Sequence, residues 1–400
     1  MSTMPQPLAA PSPDNHSPSA GVDVDVDARA PAARHPEDTH AGDVIKVLRG
    51  DGSLDPEHDP HLTEAEIVTL YRAMVQTRLL DERLTAIQRQ GRIGFHIGSY
   101  GEEAAILGSA FSLRPQDWLF PCYREFGGAI LRGFPLQRYI DNMFGNAADL
   151  AKGRQMPDHY ACREARVMSV SSPIGTQITQ AVGLAWAAKI KREDVAALVY
   201  FGDGATSSNE FHNGMNFAGV FKTATILFCR NNGWAISVPT ERQTASAGFA
   251  VKGEAYGVPG VRVDGNDLFA VVKVTRDAVA RAARGEGSTL IEAMTYRLSG
   301  HSTSDDPRAY RPETQLDPWK QRDPVARVRR HLERAYGWSE ARNKEIEDEI
   351  DARIRAAVAA AEKTPAPSLD SMFDDVYGEL PWHLVEQREA LRRGPRPKGH

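Results

Sequence analysis

The chain has 400 residues, of which 41% are hydrophobic and 25% are charged, and its formal net charge is -5. This composition is typical of a soluble globular protein with two or three domain-sized units. The pI near 6.2 argues against nucleic acid as a partner, because proteins that bind polyanions usually carry a basic face. No run approaches the roughly 18 to 20 apolar residues of a membrane span, so no membrane association is expected.

The cysteines and the start of the chain bear on its location. Cys122, Cys162 and Cys229 lie far apart and form no CxxC pair, which argues against a disulfide framework and against a cysteine zinc site. The first residues lack the basic and apolar regions of a signal peptide, and their acidic character does not resemble a transit peptide. We therefore expect a cytoplasmic protein.

Residues 1–60 are rich in Pro, Ala, Asp and His and contain few large apolar side chains. Such a segment buries too little surface to offset the entropy of ordering, so it is predicted to be a flexible acidic arm. Order is expected to begin at "LTEAEIVTLYRAM", where Thr63 and Glu66 form a capping-box pattern and apolar residues follow at helical spacing. This helix is the predicted N-terminal extension of the main domain.

From about residue 165 to 300, apolar runs alternate with helical segments. The runs "VAALVYF" (195–201), "TATILFC" (223–229) and "STLIEAMTY" (288–296) are typical of strands buried on both faces. The alternation predicts an α/β fold with a parallel sheet flanked by helices. We assign 61–321 to this domain, 322–390 to a C-terminal helical region and 391–400 to a disordered tail.

Each apolar run ends in polar residues, and ligands of parallel sheets bind beyond the carboxyl ends of the strands. The segments at these strand exits, where the three apolar runs end, are "GDGA", "RNNGW" and "RLSGHSTSDD". Asp203 and Asn232 offer oxygen ligands, which favour a hard cation such as Mg²⁺. One carboxylate supplies too little charge for an all-protein site, so the cation would accompany a phosphate-bearing ligand. The glycines would admit the phosphates, the next helix would offer free N–H groups, and Arg230 would add positive charge.

Taken alone, "GDG" and "NNG" are also ordinary turn sequences. The pair is more specific, because 26 residues, 205–230, separate the two motifs. That length fits one helix and one returning strand with their turns. Both strand exits can therefore reach the same crevice.

The "GDG" and "NN" elements at this spacing, with "FCRNNGWAISVPT", "VSSPIGTQITQAVG" and "GHSTSDDPRAYR", resemble the alpha subunits of branched-chain 2-oxo acid dehydrogenases. The resemblance runs from about residue 65 to about residue 385 and implies a thiamine-diphosphate-binding fold. It also implies an oxidoreductase component that decarboxylates branched-chain 2-oxo acids and transfers the acyl group to the lipoyl arm of a transacylase. Pyruvate or acetoin dehydrogenase alpha subunits share "GDG" and "NN" and remain alternatives, as does a noncatalytic protein with this fold.

The same resemblance implies three groups of site residues. Magnesium would be bound by Asp203, Asn232 and the backbone carbonyl of Trp234. Cofactor contacts would come from Tyr123, Arg124, Ser172, Ile174, Gly204, Ala205, Arg230 and His301, and His301 is also the candidate catalytic residue. A potassium site found in some relatives corresponds to Ser171, Pro173, Thr176 and Gln177.

The resemblance further implies that the site in this chain is incomplete. Activation of the cofactor in this family needs a glutamate that belongs to a beta subunit. We therefore expect an alpha2-beta2 heterotetramer with the cofactor at the interface, and a lipoyl-bearing transacylase core as a further partner. Residues 301–306 are expected to form a loop that the cofactor orders.

Overall fold

The structure, a computed structural model, describes residues 44–395, so expectations for 1–43 and 396–400 lie outside the described part. The strands are β1 (Trp118–Phe120), β2 (Ala197–Gly202), β3 (Thr225–Asn231), β4 (Trp234–Ala235), β5 (Val238–Pro239), β6 (Gly260–Asp264) and β7 (Thr289–Met294). Strands β1, β2, β3, β7 and β6 form one sheet in that order, and every pairing in it is parallel. The short strands β4 and β5 pair antiparallel.

Helices surround this sheet and continue beyond it to the C-terminal region. They are α1 (Glu64–Arg89), α2 (Glu103–Phe111), α3 (Phe126–Leu131), α4 (Leu136–Phe144), α5 (Thr176–Lys191), α6 (Asn209–Phe221), α7 (Leu268–Ala283), α8 (Asp317–Lys320), α9 (Pro324–Tyr336), α10 (Glu340–Lys363) and α11 (Trp382–Arg393). Among residues 44–395, no helix combines the length and apolar character that a membrane span requires.

Strand β2 shows why the central strands are apolar without a break. Ala197, Val199 and Phe201 belong to a core formed with α5 and α6. Leu198 and Tyr200 point to the opposite core, which contains residues of α2 and α7. Because helices cover both faces, every position along the strand needs an apolar side chain. The predicted parallel sheet flanked by helices is confirmed.

The predicted strands agree with β2, β3 and β7 to within about two residues, the usual uncertainty of strand ends. Strands β1 and β6 have 3 and 5 residues and no long apolar run, so the sequence pattern does not predict them. The predicted capping box of α1 is confirmed. Thr63 Oγ1 accepts a hydrogen bond from the Glu66 N–H (3.3 Å), and Glu66 Oε2 accepts one from the Thr63 N–H (2.8 Å).

The predicted flexible arm is wrong for residues 44–60. Ile45 forms a parallel bridge with Val263 of β6, and Val47 and Leu48 are buried in the core. Their N–H groups donate to Asp267 Oδ2 at 2.7 and 2.6 Å. Polar residues surround this short apolar stretch on both sides, so composition alone does not reveal it. The predicted tail likewise begins too early, because residues 391–393 belong to α11.

Candidate cofactor-binding site

A cavity of about 340 Å³ opens where β2 and β3 end. It brings together most of the residues that the sequence predicted for a site. Those lining it are Tyr123, Arg124, Ser172, Ile174, Gln177, Asp203, Gly204, Ala205, Arg230, Asn232, Trp234 and His301. Ser171, Pro173 and Thr176 are not among its lining residues.

Strand pairing explains why distant motifs meet here. Gly202, the last residue of β2, pairs in register with Arg230 of β3, so the turns that follow leave the sheet side by side. Gly204 lies against the β4 strand, and a Cβ at this position would come within 2.6 Å of the Ala235 Cβ. Only glycine permits this approach without displacement of one of the two turns.

Asp203 provides a buried carboxylate at the cavity wall, where it is only 1% exposed. Burial raises its pKa to about 6, although the Gln243 side chain opposes the shift by donating to Asp203 Oδ2 at 2.5 Å. Among the described residues that line the cavity, Asp203 is the only acid. A cation placed beside this carboxylate would relieve the cost of its burial.

Asn232 and Trp234 supply the other predicted metal ligands. The Asn232 side-chain nitrogen donates to Glu102 Oε1 (2.9 Å), which fixes the amide, and its Oδ1 accepts the Trp234 N–H (3.3 Å). The Trp234 carbonyl accepts a long hydrogen bond of 3.4 Å from Arg297. Within residues 44–395, no cluster of three His, Cys, Asp or Glu side chains suits a metal. The oxygen donors fit Mg²⁺ if a phosphate-bearing ligand supplies further oxygens.

Arg124 and His301 form a contact at the edge of the cavity. The Arg124 Nη2 donates to the His301 carbonyl (2.9 Å) and lies 3.3 Å from the His301 Nδ1. Burial, reinforced by the charges of Arg124 and Arg297, lowers the pKa of His301 to about 4. Because Nδ1 faces an arginine that only donates, we assign the ring proton to Nε2. His301 thus offers a neutral N–H donor.

Arg230 has other partners than the sequence led us to expect. Its Nη1 pairs with Glu102 Oε2, and its Nε lies 2.6 Å from Glu125 Oε1. All three side chains are buried. Burial opposes ionisation of Glu102, but Arg230 and Arg124 outweigh it and lower the Glu102 pKa. The guanidinium that was predicted to neutralise a diphosphate is thus already paired with two carboxylates.

Ser172 and the predicted potassium residues lie on the segment that enters α5. Ser172 Oγ contacts His159 Nε2, and His159 Nδ1 lies 3.0 Å from the Pro157 carbonyl. Thr176 Oγ1 donates to Ser171 Oγ (2.8 Å) and contacts the Pro173 carbonyl (2.9 Å).

Two further side chains of this segment reach the cavity. Gln177 donates to the Tyr200 carbonyl at 3.0 Å, while its buried Oε1 has no hydrogen-bond partner. An unpartnered buried oxygen is compatible with a cation ligand. Ile174 lines the cavity with 53% of its surface exposed, so its predicted role as a prop for the cofactor stays a prediction.

Several side chains of the site have no recognisable signal in the sequence. These are Glu102, Glu125, His159, Gln243 and Arg297. Glu102 lies 128 positions from Arg230, its partner, and Gln243 lies 40 positions from Asp203. Pairings over such separations leave no periodic or local signal in a single sequence. Glu125 adjoins the predicted Tyr123 and Arg124, and this proximity was the only available signal.

The fold is an α/β fold with a cavity at the carboxyl ends of parallel strands, the usual place for ligands in such sheets, and both oxygen atoms and N–H donors line this cavity. Residues 71–370 match the family described as "Dehydrogenase E1 component". The chain belongs to this family.

Proteins of known sequence agree with this assignment. The chain is 42% identical over 352 residues to the "2-oxoisovalerate dehydrogenase subunit alpha, mitochondrial" of Homo sapiens, covering 88% of this chain and 79% of the human protein. The Caenorhabditis elegans protein of that name is 43% identical over 358 residues, covering 89% of this chain and 83% of the relative. The "subunit alpha 2, mitochondrial" of Arabidopsis thaliana is 42% identical over 350 residues, covering 87% and 74%.

The names of these relatives contradict the expected cytoplasmic location. Each relative is a mitochondrial protein by name, so the prediction for this chain is wrong. The three separated cysteines indicate only that no disulfide framework is needed. The absence of a disulfide framework is therefore equally compatible with the cytoplasm and with the mitochondrion.

Proposed function

We propose that the chain is the alpha subunit of a branched-chain 2-oxo acid dehydrogenase that uses thiamine diphosphate and Mg²⁺. In this function it decarboxylates branched-chain 2-oxo acids and passes the acyl group to the lipoyl arm of a transacylase. The observation that carries the proposal is that the "GDG" and "NN" turns meet Arg124 and His301 in one cavity. The family and the names of the relatives support the substrate class.

The residues of this chain would hold the cofactor at its phosphate end. Asp203, Asn232 and the Trp234 carbonyl would bind Mg²⁺, and Gly204 would let the diphosphate approach the turn. Arg124 and the Nε2–H of His301 would donate hydrogen bonds to anionic oxygens. Thiamine diphosphate supplies, when bound, the carbon nucleophile and the electron sink for decarboxylation.

Ser172 and Ile174 belong in this proposal to the wall beside the cofactor's rings. Gln177, Ser171, Pro173 and Thr176 would form the potassium site, a role supported by the unpartnered Gln177 Oε1 and the grouped oxygens around Thr176. A test of this minor site is the dependence of cofactor affinity on K⁺ compared with Na⁺.

The proposal includes a beta subunit that completes the site. No glutamate is among the described residues that line the cavity, and this supports a glutamate contributed by another chain. We propose an alpha2-beta2 heterotetramer. Sedimentation of the copurified subunits would measure this stoichiometry. Activity of the alpha chain alone would contradict the proposal that the beta subunit completes the site.

Calorimetry tests the cofactor site. The alpha–beta complex is titrated with thiamine diphosphate in the presence of Mg²⁺, and Asp203→Asn is expected to weaken binding at least about tenfold, or about 1.4 kcal/mol. The loss is expected because the substitution removes the carboxylate facing the cation. Asp264→Asn is a matched control, since Asp264 ends the edge strand β6 of the same sheet, pairs with Arg327 and does not line the cavity. No binding by the wild type, or equal binding by Asp203→Asn, would refute the assignment.

Substrate choice separates the proposal from its nearest alternatives. The complex is assayed with 3-methyl-2-oxobutanoate and with pyruvate under identical conditions, and the branched substrate is expected to give the higher kcat/KM. A strong preference for pyruvate would instead favour a pyruvate dehydrogenase. Cofactor binding without turnover of any 2-oxo acid would favour a noncatalytic protein of this fold.

A further inference from the structure

A fully buried histidine lies between two aspartates behind the cavity. His96 has no exposed surface, and its Nε2 lies 3.0 Å from Asp81 Oδ1 of α1. Its Nδ1 lies 3.2 Å from Asp158 Oδ2, and both aspartates are buried as well. None of the three residues lines the cavity or belongs to the predicted site.

The hydrogen-bonding geometry determines the protonation of this cluster. The aspartate oxygens already accept other hydrogen bonds, as ionised carboxylates do: Ser99 N–H to Asp81 Oδ2 (2.8 Å), Ile97 N–H to Asp158 Oδ2 (2.7 Å) and Tyr139 O–H to Asp158 Oδ1 (2.6 Å). Ionised carboxylates only accept, and a neutral imidazole carries a single N–H, so two carboxylate partners require a proton on each ring nitrogen. Burial opposes this charge, but the carboxylates outweigh it and raise the pKa of His96 to about 10.

The cluster fixes the backbone of residues 96–99. Asp81 and Asp158 bind the N–H groups of Ser99 and Ile97, while their charges hold the His96 ring between them. The segment packs so closely against α1 that a Cβ on Gly98 would lie 2.2 Å from Asp81 Oδ1. Residues 96–99 are thus held at both ends by buried charges.

Residues 96–99 connect directly to the edge of the cavity by two routes. The Gly98 carbonyl accepts a hydrogen bond from Arg124 Nη1, and Arg124 in turn contacts His301. The His96 N–H donates to Thr303 Oγ1 (3.1 Å), and the Thr303 N–H donates to the His96 carbonyl (2.9 Å). Both routes end at the segment that carries His301.

We infer that His96, as a buried imidazolium between Asp81 and Asp158, is a positioning residue for Arg124 and for the segment that carries His301. The effect on cofactor affinity rests on the proposed function, in which Arg124 and His301 bind the diphosphate. The protonation of His96 and the hydrogen exchange of residues 299–306 can both be measured without the cofactor.

Nitrogen-15 NMR of histidine-labelled alpha chain in complex with its beta subunit tests the charge. At pH 8 an unperturbed histidine, with a pKa of about 6.5, is neutral, whereas both ring nitrogens of His96 are expected to carry protons. The signal is identified by its loss in His96→Gln or its change in Asp158→Asn, which removes one of the two charges. A His96 ring with one protonated nitrogen at pH 8 would overturn the inference.

Thr303 variants test the positioning role even if His96→Gln fails to fold. Thr303→Val removes the side-chain link to the His96 N–H, and Thr303→Ser retains it. We expect hydrogen exchange of residues 299–306 to rise about tenfold in Thr303→Val without cofactor, the signature of easier local opening, and to return toward the wild-type rate in Thr303→Ser. Equal exchange in wild type and Thr303→Val would contradict the inference.

Affinity for thiamine diphosphate and Mg²⁺, followed by tryptophan fluorescence of the complex, links the cluster to the site. His96→Gln is expected to raise the Kd about tenfold, comparable to the loss of one hydrogen bond to a charged group. His331→Gln is the matched control: His331 is also buried, contacts the Gly52 carbonyl at 2.8 Å and does not line the cavity. It should lower thermal stability and leave the Kd unchanged.

The outcomes of these experiments are distinguishable. An equal increase in Kd for His96→Gln and His331→Gln would assign His96 a purely structural role and overturn the inference. Failure of the wild type to bind thiamine diphosphate would refute the proposed function instead. In that case NMR and hydrogen exchange still decide whether His96 is charged and orders residues 299–306.

Discussion

At the scale of single residues, two histidines in and behind the cavity are held in opposite protonation states. His96 lies between two carboxylates and is held in its charged form, whereas His301 faces arginines and is held neutral. Neighbouring charges, and not burial alone, decide the difference. At pH 7 the neutral His301 ring can donate one hydrogen bond, but it does not supply a fixed positive charge.

The protonation of His301 gives a prediction on pH dependence. Because its folded-state pKa of about 4 lies below its unfolded value of about 6.5, its neutral form contributes stability above pH 6.5 that is lost as pH falls through 4. NMR titration of the cofactor-free complex should give a midpoint near pH 4. Arg124→Gln should raise that midpoint by about one pH unit, because it removes the nearest positive charge. A wild-type midpoint near 6.5 would contradict the structure.

At the scale of elements, the close contact between the turn after β2 and strand β4 shapes the cavity. Gly204→Ala places a methyl group 2.6 Å from the Ala235 Cβ, so the two turns must separate. We expect cofactor affinity to fall about tenfold, a loss of about 1.4 kcal/mol. Calorimetry of the complex measures this change.

The double variant Gly204→Ala/Ala235→Gly distinguishes the cause of that loss. Removal of the Ala235 methyl group should restore most of the affinity if the contact between the turns is limiting. If the added methyl group instead obstructs the ligand, the double variant should remain as weak as Gly204→Ala. Ala235→Gly alone is the control and should bind almost as the wild type does.

Some of these elements can be predicted from the sequence, whereas contacts between distant segments cannot. Strands β2, β3 and β7 and the cap of α1 were predictable, because each depends on neighbouring residues and on regular apolar spacing. The positions of Asp203 and Asn232 followed from the parallel sheet. The pairing of Arg230 with Glu102 and the cluster around His96 were not predictable, because they join segments that approach only after the sheet and helices have packed.

At the scale of the whole molecule, residues 44–60 join the sheet to the C-terminal helices. Val47 and Leu48 bind the buried Asp267 at the start of α7 through their N–H groups. Arg327 of α9 donates to the Leu48 carbonyl at 2.5 Å. The segment that composition assigned to a flexible arm is therefore a structural connection between three elements.

Two truncations test this connection. A chain that begins at residue 44 keeps all described contacts and is the reference, with its melting temperature measured in complex with the beta subunit. A chain that begins at residue 61 loses the burial of Val47 and Leu48, worth about 3–6 kcal/mol together, and leaves the Asp267 carboxylate without two donors. For a domain of this size we expect a melting temperature at least about 5 °C lower, or loss of soluble protein.

Asp267→Asn in the full-length chain is the milder comparison, because it weakens the two N–H contacts but leaves the apolar side chains in place. Equal stability of the two truncated chains would show that residues 44–60 do not support the fold.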